Sequence, residues 1–263
     1  MPSAKKIQCT VIETKRLSPT VVSLQLKPSR KISFEGGQFV SIEIPSNNGG
    51  KVKRCYSLAN APEQSQSHLE LCVKVTPKGV GSNYLANLKV GASLTVFAAY
   101  GDFKFKSKSS ERKVCFVATG TGIAPLRSIF LSEQFQENAP HTTMLFGARS
   151  EEEILYRGDF SKLGAKEVHA VSQPSTQWNG FTGRVTDYLR QLPADFDFKT
   201  TDFYLCGSGE MVDEARNILL GRGVPVANIY FERFSMPGKV LPFVQPNPSS
   251  LPQHHEPFAS RRA

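Results

Sequence analysis

The chain has 263 residues, 40% of them hydrophobic, enough to bury a core in each of two domains. Its 32 Lys and Arg outweigh 23 Asp and Glu for a net charge of +9, but they are spread along the chain, and no recognition helix, zinc finger or aromatic RNA motif accompanies them. That pattern argues against nucleic-acid readout and suits an acidic partner, a small acidic redox protein or an anionic membrane.

The first part of the chain reads as β-rich. Residues 21–26 and 39–44 form short apolar or alternating runs, and Leu69-Glu70-Leu71-Cys72-Val73-Lys74-Val75 alternates cleanly. Clusters of Gly, Pro, Asn and Ser at 45–50 and 61–67 separate them, which predicts a small barrel or sandwich. Arg54-Cys55-Tyr56-Ser57 falls on another strand. Positions 54 and 56 share one face, so a guanidinium and a phenol ring bracket one ligand there, with the Ser57 hydroxyl alongside. Pro77-Lys78-Gly79-Val80-Gly81-Ser82-Asn83 then leads into a helix predicted over 82–88 with Ser82 as its cap, a turn able to hold a pyrophosphate.

After a polar, basic linker at 107–112 the pattern changes to alternating strands and helices. Strands are predicted at 114–118, 142–146, 167–171, 202–205 and 229–231. Helices are predicted at 124–135, 184–192 and 210–220, the last stopped by Gly221. This alternation predicts a parallel sheet covered on both faces. Thr119-Gly120-Thr121-Gly122-Ile123-Ala124-Pro125 follows the first of these strands and opens a helix, the arrangement that lets backbone approach a phosphate. Pro125 stands where the usual dinucleotide fingerprint has its third glycine, and proline is tolerated in a first helical turn. Beyond Phe234 the composition turns to Pro, Gln, Ser and His, and a tail over 235–263 without regular structure is expected.

The five cysteines are scattered and include no Cys-x-x-Cys pair, which argues against a disulfide framework, a zinc site or an iron–sulfur cluster. No apolar run approaches the roughly 20 residues of a membrane span, and none follows the basic start, so a soluble cytoplasmic protein is expected.

Taken in order, Arg54-Cys-Tyr-Ser57, Val73-Lys74, Gly79-Val-Gly-Ser82, Gly120-Thr-Gly122 with Pro125, Phe146-Gly147-Ala148-Arg149, Gly183-Arg184-Val185-Thr186, Cys206-Gly207-Ser208-Gly209-Glu210-Met211 and Phe231-Glu232-Arg233-Phe234 resemble the ferredoxin–NADP reductase family. The resemblance implies an N-terminal antiparallel β-barrel that binds flavin (1–110), a C-terminal α/β parallel-sheet domain that binds nucleotide (111–234), and the tail. It implies FAD rather than FMN, and NAD(P)H as cosubstrate. It assigns Arg54 to the flavin pyrophosphate, Tyr56 to the isoalloxazine face and Ser57 to the neighbourhood of flavin N5. Cys72 and Lys74 line the flavin chain, and Gly81 and Ser82 form its phosphate turn. Thr119, Gly120, Thr121, Gly122 and Pro125, with Gly147, Arg149, Arg184, Gly207 and Met211, fall on the nucleotide side. Cys206 lies beside the nicotinamide, Glu232 hydrogen-bonds near the transferring hydride, and Phe234 covers the flavin.

The implied activity is hydride transfer between NAD(P)H and FAD, with single electrons passed to a separate carrier such as ferredoxin or flavodoxin. The reductase component of an oxygenase and a flavin or quinone reductase are alternatives; a non-catalytic flavin-binding electron-transfer subunit is an alternative of another class. Gln173 after Ser172, where NADP-preferring relatives often carry arginine, leans the coenzyme toward NADH or mixed use.

Overall fold

The computed structural model describes residues 5–46, 48–106 and 112–234. The first half contains β1 (Lys5–Ser18), β2 (Val21–Pro28), β3 (Phe39–Pro45), β4 (Lys51–Ser57), β5 (Leu69–Lys74), a seven-residue helix α1 (Val80–Ala86) and β6 (Ser93–Tyr100). Alternate apolar positions build its core: Ile7, Cys9 and Val11 on β1, Leu24 and Leu26 on β2, Val40, Ile42 and Ile44 on β3, and Leu69, Leu71 and Val73 on β5. A period of two places all of them on one face, and an antiparallel sheet of order β4-β3-β6-β1-β2-β5 curls around them. The ends meet where Leu58, just past β4, bridges Leu71 of β5 and the Ala59 N–H donates to the Glu70 carbonyl at 2.9 Å. Closure makes this a barrel and removes the free edges.

The second half contains β7 (Val114–Thr119), α2 (Ile123–Leu131), β8 (Thr142–Ala148), β9 (Lys166–Val171), β10 (Phe181–Thr182), α3 (Val185–Arg190), β11 (Asp202–Ser208), α4 (Gly209–Gly221) and β12 (Ile229–Phe234). Its sheet has order β10-β9-β8-β7-β11-β12, and every pairing is parallel. The central strands are apolar on both faces, as a doubly covered sheet requires. Phe116, Ala118, Tyr204 and Cys206 face α2 and a core shared with Phe103 and Phe105, whereas Val117, Leu205, Leu189 and Leu219 pack on the side of α3 and α4. From β7 the chain moves out through β8 to β10, then returns to β11 on the opposite side. The switch point therefore lies between β7 and β11, at whose carboxyl ends an open α/β sheet forms its ligand crevice.

Several helix limits differ from those predicted. The N-cap of α1 is Gly79, and Ser82 lies inside the first turn, where its hydroxyl accepts from the Thr76 N–H at 3.2 Å and donates to the Gly79 carbonyl at 3.1 Å. α2 stops at Leu131 rather than near 135 because Ser132 turns extended and its hydroxyl takes the Ile129 carbonyl at 2.7 Å. α3 spans 185–190, with Arg184 as cap rather than first residue. α4 is stopped by Gly223, not Gly221: Gly223 has φ +80, its N–H reaches the Leu220 carbonyl at 3.0 Å, and the Val224 N–H reaches that of Leu219 at 3.1 Å. The strands β1, β6 and β10 had no separate sequence signal. Most of the predicted linker, and the tail over 235–263, lie outside the described residues.

Candidate functional site at the barrel–sheet junction

On the barrel side, β4 presents Arg54 and Tyr56 toward α1. A Cβ added at Gly81 would stand 2.7 Å from Ile44 Cδ1, 3.1 Å from the Tyr56 hydroxyl and 3.2 Å from Arg54 Cγ. The first turn of α1 is thus pressed against these two side chains, and its N-cap offers no side-chain oxygen to the helix N–H groups. The first N–H groups of α1 are thus left without a capping side chain, the condition under which a helix start can take an anion. Arg54 is exposed, donates to the Lys53 carbonyl at 2.9 Å and makes no ion pair among the described residues. Burial pushes the Tyr56 hydroxyl up to about 12, so the ring remains neutral. Ser57 is nearly buried on the opposite face of the strand, level with Phe39. Lys74 is exposed, whereas the Cys72 side chain turns into the core between the two halves, where burial raises its thiol to about 12.

On the sheet side, the residues predicted to surround a nucleotide converge at the switch point. A Cβ at Gly122 would lie 2.2 Å from the Cys206 carbonyl oxygen, so the turn after β7 rests directly on the end of β11. Gly207 is covered as closely by Thr119 Oγ1 and the Met211 methyl, and the Met211 N–H is capped by Ser208 Oγ at 3.3 Å. Gly147 sits level with Thr119 on β8 and touches Val185. Thr121 is part of the same 3-10 turn, and Pro125 is buried at the third position of α2. Arg149 and Arg184 are exposed at the same carboxyl edge, and the Arg184 N–H donates to Asp187 at 2.9 Å.

The two sides meet at β12. In the parallel register Cys206 stands between Ala118 and Glu232, and Ser208 is paired with Phe234. Phe234 packs on the shared core. Glu232, level with Cys206 across β11 and β12, lines a cavity of about 300 Å³ with Asp102, Phe103 and Lys104 of the segment after β6, so it lies where the sheet meets the barrel half. Burial raises its pKa to about 7, and Oε2 is buried without a hydrogen-bond partner. Burial first, and Glu232 second, hold the Cys206 thiol well above its ordinary value. It is a neutral thiol that packs and donates weakly, not a nucleophile.

The residues present fit a flavin and a nicotinamide dinucleotide. An orphaned carboxylate oxygen at the junction, a helix turn set against an aromatic ring and an unpaired arginine, and a glycine turn at the switch point are each suited to one part of such a pair. Sequence reasoning missed a further group. Arg127, Ser128, Asn60, Glu70 and Tyr156 join α2 and the loop after β8 to the barrel. The one available signal was an arginine within the otherwise apolar run of α2.

Residues 8–105 match the family Oxidoreductase FAD-binding domain, and residues 116–217 match Oxidoreductase NAD-binding domain. The chain is 33% identical over 246 residues to ferredoxin–NADP reductase B of Sorangium cellulosum, covering 89% of this chain and 100% of that protein. It is 31% identical to the phenol hydroxylase P5 protein of Acinetobacter pittii, covering 86% of this chain and 65% of that relative. A solved ferredoxin reductase of carbazole 1,9a-dioxygenase superposes with a TM-score of 0.77 at 25% identity, over 89% of this chain and 71% of that one. Two cofactor-domain matches in tandem, and a relative aligned along its whole length, lead to one conclusion: the chain belongs to the ferredoxin–NADP reductase family and is an oxidoreductase that uses FAD and NAD(P)H.

Proposed function

We propose that this protein passes a hydride between NAD(P)H and FAD at the β4–β11–β12 junction and exchanges single electrons with a separate acidic carrier. The observation that carries the reading is Glu232, a carboxylate with a buried, unpartnered oxygen that stands level with Cys206 and lines a cavity shared with Asp102, Phe103 and Lys104. FAD, when bound, supplies the redox chemistry, taking two electrons with the hydride and returning them one at a time. Arg54 and the first turn of α1 hold its pyrophosphate, Tyr56 flanks its ring system, and Gly81 leaves the space between them. Gly120–Gly122 and the start of α2 hold the coenzyme pyrophosphate. Cys206 and Ser57 border the reacting atoms, Glu232 holds a proton beside them, and Phe234 shields the ring until coenzyme enters. Such a site works by alignment more than by acid–base chemistry. Anaerobic stopped-flow at flavin wavelengths tests the reading: mixing with reduced coenzyme should bleach the bound flavin, and a protein that neither binds FAD nor reacts would refute it.

Truncating Tyr56 to alanine should lower the flavin content of purified protein several-fold, because the ring and its contact with the α1 turn disappear together. Unchanged flavin absorbance per protein would remove Tyr56 from the site.

Coenzyme choice follows from the edge of β8 and β9. A cleft of about 480 Å³ there is lined by Ser150, Glu151, Arg157, Ser175 and Trp178. The Glu151 carboxylate accepts from the Ser175 hydroxyl at 2.6 Å and its N–H at 2.9 Å, and these bonds hold its pKa below the ordinary value. A fixed anion disfavours an added phosphate, against which stands Arg157, 5.8 Å from the Trp178 ring. We expect kcat/KM for NADH to equal or modestly exceed that for NADPH. A strong NADPH preference would overturn this assignment.

The carrier is read as a ferredoxin, a flavodoxin or an oxygenase component, in keeping with a net charge of +9. Steering by opposite charge speeds encounter and is screened by salt. Reduction of an acidic ferredoxin should therefore slow about tenfold or more as ionic strength rises from about 0.01 M to 0.5 M, while reduction of a small neutral quinone should not. Equal salt sensitivity for both acceptors would count against an electrostatically docked carrier. No described helix is long and apolar enough to cross a membrane.

A further inference from the structure

Between the barrel and the sheet lies a buried cluster built from residues other than those assigned to either cofactor. Arg127, on α2, is at its centre. Its Nη1 donates to the Ala59 carbonyl at 2.7 Å and to Glu70 Oε2 at 3.0 Å, and its Nε donates to Asp159 Oδ2 at 2.8 Å. The next residue, Ser128, donates its hydroxyl to the Asn60 carbonyl at 2.8 Å. Glu70, on β5, is only 8% exposed; its Oε1 accepts from Ser23 Oγ and from the Tyr156 hydroxyl, each at 2.9 Å. The backbone of Glu70 also donates to Asn60 Oδ1 at 2.8 Å.

Tyr156 has φ +53, a left-handed conformation that a non-glycine residue keeps only where its surroundings hold it. Its ring lies under the Arg127 guanidinium at 4.4 Å, and its hydroxyl is held by Glu70. The loop behind it is pinned by Glu167, whose carboxylate accepts the N–H groups of Gly158, Phe160 and Ser161. Burial works against the charge on Arg127, but Glu70, Tyr156 and Asp159 more than offset it, so the guanidinium stays ionised.

A buried ion cluster is a weak source of net stability, because desolvation cancels most of its attraction. What it adds over an apolar contact is direction. The bonds made here are directional in both senses along the chain. α2 begins at the glycine turn that rests on Cys206, and Arg127 and Ser128 lie little more than one helical turn further on. The carbonyls they grip belong to Ala59 and Asn60, two and three residues after Ser57. The path from the nicotinamide turn to the flavin strand is therefore one short helix and two hydrogen bonds.

We propose that Arg127, Glu70 and Tyr156 are positioning residues that set the distance and angle between the flavin strand and the nicotinamide turn. The inference rests on the flavin–nicotinamide reading of the junction. Hydride transfer is the step that responds to such positioning, since an error near 1 Å can cost about a hundredfold in rate.

The test uses Glu70→Gln and Tyr156→Phe in the full chain, with Leu219→Val in the distant α4 core as a control for general loosening. Glu70→Gln should retain flavin and coenzyme affinity while the stopped-flow rate of flavin reduction falls about tenfold or more. The long-wavelength charge-transfer absorbance between reduced flavin and bound oxidised coenzyme should weaken in parallel. Tyr156→Phe should act in the same direction and less strongly. In flavin-free protein, hydrogen exchange at 59–60 and along α2 should accelerate in both variants and not in Leu219→Val. An unchanged rate and charge-transfer band in Glu70→Gln would overturn the proposal, as would a rate lost only in proportion to flavin content or matched by Leu219→Val. A wild-type protein that coenzyme does not reduce would instead overturn the underlying reading of the junction.

Discussion

Gly122→Val is expected to lower flavin reduction by NAD(P)H by about a hundredfold or more while flavin remains bound. The reason is local and steric. A Cβ at this position would stand 2.2 Å from the Cys206 carbonyl oxygen, 2.5 Å from its carbon and 2.7 Å from Gly207 Cα. All three are backbone atoms, so no side-chain rotation relieves the clash. Either the turn lifts off β11 or the end of β11 moves, and both displace Cys206 from its place between Ala118 and Glu232. Overpacking of this kind costs about 1–3 kcal/mol, which a chain with two cores can tolerate. The barrel half of the site lies on other elements, so flavin absorbance should be retained. Stopped-flow with wild type and variant at matched flavin content measures the effect. A variant reduced at the wild-type rate would mean that the turn does not carry the coenzyme.

Replacing Glu232 with glutamine should remove two pH dependences that share one cause. Burial raises this carboxyl from 4.5 to about 7. The folded state therefore binds its proton more tightly than the unfolded state does. Stability contributed through this group is greatest below 4.5, declines as pH rises to about 7, and is fully lost above it, a fall of about 3 kcal/mol in the flavin-free protein. Glutamine keeps the shape without the charge. Its unfolding free energy should gain on wild type through that window, and chemical denaturation at about pH 4.5 and about pH 8 reads the difference directly. In the flavin-loaded protein, the reduction rate should show an inflection above the ordinary carboxylate range in wild type and lose it in the variant. Identical pH profiles for the two proteins would show that the carboxylate lies away from the reacting atoms.

These two predictions draw on different kinds of legibility. The glycine turn could be read from the order of residues, because an apolar strand, Gly-Thr-Gly and a helix follow one another without a break. The pairing of Arg54 with Tyr56 was equally local, set by the period of a strand. The closeness of Gly81 to both was not, since it joins a helix and a strand separated by a 3-10 turn and an intervening strand. The environment of Glu232 was also hidden. The resemblance singles out this carboxylate in Phe-Glu-Arg-Phe, but its burial and its unpartnered Oε2 come only from the packing of β12.

Local sequence was a poorer guide to where helices end. Ser82 has the chemistry of a cap, yet Gly79 takes that position because the Ser82 hydroxyl is spent on Thr76 and Gly79. Gly221 and Gly223 are both plausible stops, and the left-handed turn that satisfies the Leu219 and Leu220 carbonyls forms at the second. In each case nearby hydrogen bonds decide between residues of equal propensity.

What the sequence by itself determined is the pair of domain types, their order and the turns that approach phosphates, because all of these are written in short-range period and spacing. Only the tertiary structure decided how the halves meet. The neutral thiol of Cys206, the raised carboxyl of Glu232 and the Arg127–Glu70–Tyr156 cluster all depend on contacts between residues tens of positions apart. Burial and charge compensation are properties of those contacts, and no window of sequence contains both partners.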